Sequence, residues 1–160
     1  MSDLATLPLV LAPDLRARPW AGSRLAAADQ HIGEAWVAWG GCRILGGPGD
    51  GRVLDDVCRE LGPGFVGTSG LRLGRGGFPL LAKLIDTSEW LSVQVHPDDA
   101  LARELYGPDA LGKAEAWLVI DADPAGTLVT GPADDQEEAA LREAIAAGTA
   151  SHLHCRRRPA

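Results

Sequence analysis

The sequence predicts a mainly antiparallel β protein with short helices, in the element order of a sandwich or open barrel. Short apolar runs recur along the chain, glycine and proline punctuate nearly all of them, and helical spacing is confined to brief stretches. At 160 residues the chain has the size of one ordinary domain, so a single core is the default expectation.

The elements follow in order. Leu4 to Trp20 is apolar with Pro8, Pro13 and Pro19, which suits an extended lead-in, because proline removes an amide donor and restricts its neighbour. IGEAWVAWGGCRILGG reads as a strand, a tight turn at Gly40-Gly41 and a second strand. Val53, Leu54, Val57 and Leu61 stand at helical spacing before Gly62, which predicts a short surface helix with a glycine cap. Seven glycines and a proline between Gly62 and Gly77 predict a long loop or a set of turns. Phe78 to Ile85 and Trp90 to His96 are apolar runs divided by Asp86 to Glu89, the pattern of an antiparallel pair. Pro97, Asp98 and Asp99 then open a helix that ends on Gly107, with the carboxylates in capping positions. AEAWLVIDADPAGTLVTG predicts strand, turn and strand, and Asp134 to Ala147 an acidic, alanine-rich helix. The tail, SHLHCRRRPA, offers no strand partner and no completed helix, so the chain reads as incomplete at its functional end.

Fifteen basic against twenty-two acidic residues give a formal charge of -7, which argues against nucleic acid as the main partner and favours a small ligand. No run reaches the ~18 to 20 apolar residues needed to cross a bilayer, and no basic segment, apolar core and cleavage site open the chain. A cytoplasmic protein with no membrane partner is expected. Cys42, Cys58 and Cys155 are odd in number without CxxC spacing, so reduced, structurally incidental thiols are expected rather than a disulfide framework or thiolate zinc site.

The chemistry concentrates in SVQVHPDD. In a strand, residues two apart share a face, so Gln94 and His96 point one way and Leu91, Val93 and Val95 the other. Imidazole is the commonest zinc ligand and an amide oxygen suits a mixed site. Glu115, in GKAEAW, lies near the start of the next predicted strand and is a candidate carboxylate ligand. The plain alternative is a hydrogen-bonding histidine with an ordinary Gln and Glu nearby.

FPLLAKLIDTSEWLSVQVHPDD followed by GKAEAW resembles the type I mannose-6-phosphate isomerases, the class I phosphomannose isomerase family of metal-dependent cupins. RPWAGSRLA and IGEAW also resemble N-terminal words of those enzymes, and the similarity runs with interruptions from Arg18 to Gly131. The resemblance implies a cupin-like jelly roll, here incomplete. Residues 1–131 would be the N-terminal part of a cupin-type isomerase domain, and 132–160 an acidic helix with an atypical basic tail.

It further implies one zinc ion per chain held by Gln94, His96 and Glu115, a substrate-binding role for Lys83 beside the sugar phosphate, and a catalytic role for Lys113 in proton transfer or its electrostatic support. The implied reaction interconverts mannose 6-phosphate and fructose 6-phosphate through a cis-enediol. The family's fourth ligand, a histidine in a segment resembling PAGTVHA, and its C-terminal arginine have no match here; His152 and His154 lack the turn and strand that would aim them at a metal. Glu34 reads as a structural hydrogen-bonding residue beside Trp36. The alternatives from other classes are a non-catalytic cupin-like module that binds metal or sugar, and an interaction domain that self-associates through an open sheet edge.

Overall fold

The computed structural model describes Leu4 and residues 6–132, 135–151 and 157–159, and the chain divides into two compact units, Met1–Trp90 and Leu91–Ala160.

In the first unit the proline-punctuated lead-in is extended as expected and supplies two strands, β1 (Val10–Leu11) and β2 (Asp14–Ala17). The word IGEAWVA forms β3 (Ile32–Ala38), the central strand of a three-stranded antiparallel sheet ordered β2-β3-β5, with β5 spanning Ala82–Ile85. Gly33 is required there, since a Cβ would stand 2.7 Å from both the Arg18 Cβ and the Trp20 ring. The turn at Gly40-Gly41 closes with Cys42 N–H on the Trp39 carbonyl, 3.0 Å, and leads into β4 (Ile44–Leu45), which pairs with β1.

The predicted helix is α1 (Leu54–Leu61), capped by Gly62 at φ 55°. Its apolar side is no surface feature: Leu54, Val57 and Cys58 are buried with Cys42 and Ile44 and form the core. The next stretch departs from the expected loop. Residues Pro63–Leu73 are helical on either side of a break at Gly67 and are labelled α2. Pro63 sits in the first turn, where its missing N–H costs nothing, and glycine supplies the φ of 73° that the break needs.

The antiparallel pair expected from Phe78–Ile85 and Trp90–His96 is not made. The partner of β5 is β3, and the intervening polar segment is committed elsewhere, with Asp86 N–H on the Gly33 carbonyl and Ser88 N–H on that of Trp20. Residues 91–98 therefore carry no strand.

In the second unit, α3 (Asp99–Tyr106) occupies the predicted helix, and Asp98 caps it by accepting the Leu101 N–H at 2.8 Å. The predicted strand 114–120 is not formed, because no ladder partner reaches it among the described residues, and Leu118 and Ile120 stand 86% and 78% exposed. The chain turns at Asp123, whose carbonyl accepts the Gly126 N–H, and enters β6 (Thr127–Val129). The acidic helix is α4 (Asp135–Ala146), buried through Leu141 and Ala144. Contrary to expectation the tail has a strand partner: β7 (Arg157–Pro159) runs antiparallel to β6.

The sheets are thus small and antiparallel, interleaved with short helices, and close no barrel among the described residues. No helix among them is long and apolar enough to cross a membrane. Cys42 and Cys58 are buried free thiols; Cys155 lies outside the described residues.

Candidate active site

His96 ends the run SVQVH, just before the helix that Pro97 and Asp98 start. After that helix the chain returns with Lys113 and Glu115. His96 Nε2 lies 3.3 Å from Glu115 Oε2 and 3.1 Å from Lys113 Nζ, which in turn stands 3.3 Å from Glu115 Oε1. Both the His96 and Glu115 side chains are 25% exposed, so the cluster is half-buried yet open to solvent. Burial, the largest single influence on the Glu115 carboxyl, pushes its pKa up. Hydrogen bonds from Lys113, Trp117 and His96, with the Lys113 charge, outweigh that and hold it below the ordinary carboxylate value.

Gln94 is exposed, and its Nε2 donates to Ser92 Oγ at 2.9 Å. No ladder holds this segment as a strand, and no hydrogen bond among the described residues joins the Gln94 amide to the cluster. Among the described residues no group of three or more His, Cys, Asp and Glu converges. His152 and His154 lie outside the described residues.

Lys83 belongs to a second cluster, in the first unit. It stands on β5 opposite Trp36 of β3, and its Nζ donates to Glu34 Oε1 at 3.1 Å. Glu34, only 6% exposed, also accepts from Trp36 Nε1 at 3.0 Å and from Arg18 at 2.6 Å. Burial again acts most strongly and upward on the Glu34 carboxyl. Hydrogen bonds from Trp36, Lys83 and Arg18, and the Lys83 charge, override it and lower the pKa. Glu34 is thus the hydrogen-bonding residue beside Trp36 that the sequence suggested, and also the partner that a lysine inside an apolar run demands. Arg18 is the member sequence reasoning missed; the signal was a second cation in RPW, at the far side of a strand whose centre carries a lone acid.

Imidazole, ammonium and carboxylate within 3.3 Å of one another are the materials of an acid-base or metal-assisted site. Residues 21–116 match the family model for the phosphomannose isomerase type I catalytic domain, a span that includes His96, Lys113 and Glu115. The chain belongs to the type I phosphomannose isomerase family.

It is 38% identical over 157 residues to the mannose-6-phosphate isomerase of Streptococcus mutans serotype c, a match covering 91% of this chain and 47% of the relative. With the probable mannose-6-phosphate isomerase GmuF of Bacillus subtilis it is 38% identical, covering 79% of this chain and 41% of the relative. With ManA of the same organism it is 31% identical over 80% of this chain and 42% of the relative. The chain thus spans less than half the length of these relatives. No solved structure matches it.

Proposed function

We propose that the chain carries the N-terminal part of a zinc-dependent site for the reversible isomerisation of mannose 6-phosphate and fructose 6-phosphate. The observation that carries this reading is the convergence of His96 and Glu115 around a cation, the Lys113 ammonium, in a chain of this family. An imidazole nitrogen and a carboxylate oxygen are among the donors zinc takes, and both are free for an ion once the Lys113 ammonium turns away from them. Gln94 would complete the protein ligands by turning its amide oxygen from Ser92. When bound, zinc supplies Lewis-acid stabilisation of the negative charge that develops on the sugar oxygens.

The reaction moves one proton from C2 of the open-chain aldose to C1, and the hydroxyl proton from O2 to O1, through a cis-enediol. The chain's own part is to hold the substrate and steady that charge. Lys113, 46% exposed at its side chain, can turn outward from the His96–Glu115 pair to a sugar oxygen. There its ammonium supports the enediolate or delivers a proton. Lys83 is the proposed phosphate contact, as a point charge already oriented by Glu34. Residues 1–131 form the isomerase part in this reading, with 132–160 an appended helix and tail, and the cytoplasm is the compartment in which a sugar phosphate is met.

A coupled assay of mannose 6-phosphate conversion tests it, with Lys113→Ala expected to lower kcat roughly 100-fold or more. Equal kcat in that variant rejects the role of Lys113. One observation favours a second reading, a metal- or sugar-binding module without turnover: Gln94 is bound to Ser92. That module would bind zinc and show no conversion.

A further inference from the structure

The cluster of the proposed site joins two segments far apart in sequence, His96 before α3 and Lys113 with Glu115 after it. No sheet ladder holds them together among the described residues. What fixes the second segment against the first is an interlock at Gly112. Its N–H donates to Asp99 Oδ1 at 2.9 Å, and the next amide, Lys113 N–H, donates to the Pro97 carbonyl at 3.1 Å. The approach is so close that a Cβ on Gly112 would stand 2.5 Å from the Asp98 carbonyl carbon, 2.6 Å from the Pro97 oxygen and 2.7 Å from the Asp99 nitrogen. All three are backbone atoms, unable to turn aside as a flexible side chain does.

We propose that Asp99 and Gly112 are positioning residues that set the His96–Lys113–Glu115 geometry. The two aspartates thereby divide their work: Asp98 caps the helix, and Asp99, from the first turn, ties down the returning strand of chain. Only glycine lets the backbones meet, and the side-chain oxygen of Asp99 fixes the register at which they do. A shift of that register moves Lys113 and Glu115 together, since they follow Gly112 directly.

The inference rests on the proposed function for the meaning of the cluster, and its test separates the two. In metal-free protein, the nuclear Overhauser contact between the Lys113 side-chain methylenes and the His96 ring reads the geometry alone; zinc titration calorimetry reads its consequence. Gly112→Ala and Asp99→Ala are expected to lose the contact and to weaken zinc binding by roughly tenfold or more. Asp99→Asn, which keeps an acceptor oxygen, is expected to restore both. The exposed Asp99 pair leaves the fold intact, so the comparison stands even if Gly112→Ala does not fold. Wild-type protein that shows the contact but binds no zinc defeats the metal reading and leaves the positioning role to the contact. The contact surviving in Asp99→Ala, or lost equally in Asp99→Asn, overturns the positioning role.

Discussion

The first unit is organised around burial, and the second around local polar bonds. In Met1–Trp90 the core gathers Leu54, Val57 and Cys58 of α1, Ile44 of β4 and Cys42 of the turn before it, all under 3% exposed, and a buried carboxylate ties two cations to the central strand of the three-stranded sheet. In Leu91–Ala160 Ala102 is fully buried and Leu141 and Ala144 nearly so, while Trp117, Leu118 and Ile120 face solvent. The zinc-site candidates sit in that second unit, held by a helix cap, the turn it makes and a few charged contacts. The His96–Lys113–Glu115 cluster thus rests on short-range hydrogen bonds and charged contacts, whereas the first unit, with the Lys83–Glu34 pair, rests on a buried core.

Substitutions at four positions probe the contrast. The largest loss is expected from Leu54→Ala, about 2–5 kcal/mol by urea unfolding, because a fully enclosed side chain leaves a cavity; a loss below about 1 kcal/mol would show the core to be looser than its burial implies. Glu34→Ala comes next, at about 2–4 kcal/mol, since it leaves Arg18 and Lys83 without their shared acceptor.

The Glu34 carboxyl also predicts a pH dependence. Its folded pKa lies below its reference value of 4.5, so it contributes stability in full above that value and loses it as pH falls through the lowered one. Melting temperature should drop over that acid range in the wild type and drop less in Glu34→Gln. Equal slopes would remove Glu34 as the cause.

In the second unit the effects shrink. Asp98→Ala should cost about 1 kcal/mol as a lost helix cap, with faster amide exchange confined to the first turn of α3. Leu118→Ser should change stability by no more than about 0.5 kcal/mol, because the side chain is already in water. A large loss there would mean that the segment packs in solution, and that the two units are alike after all.

Much of the scaffold was legible in the chain. Gly62 announced the end of α1, the Gly40-Gly41 turn stood where expected, and Pro97 with Asp98 marked the start of α3, because caps and turns are set by neighbours in sequence. Pairing was not legible: SVQVH has the alternation of a strand, but alternation names a face without naming a partner. The glycine-rich segment misled for the opposite reason. Glycine lowers helix propensity at each position, yet Pro63 starts the helix and Gly67 alone takes the break. At the site, the family words singled out His96, Lys113 and Glu115, which the fold brings together, and Gln94, which it holds on Ser92. Arg18 and Gly112 escaped because their roles lie in tertiary contacts, one with a buried acid and one with a backbone.

The decisive measurement is zinc stoichiometry and affinity in purified protein, wild type beside His96→Ala, with circular dichroism confirming equal folding. About one zinc per chain is expected in the wild type and none retained by the variant, since a site with few protein ligands does not survive loss of its imidazole. Full metal content in folded His96→Ala would place the metal elsewhere and overturn the assignment of this cluster.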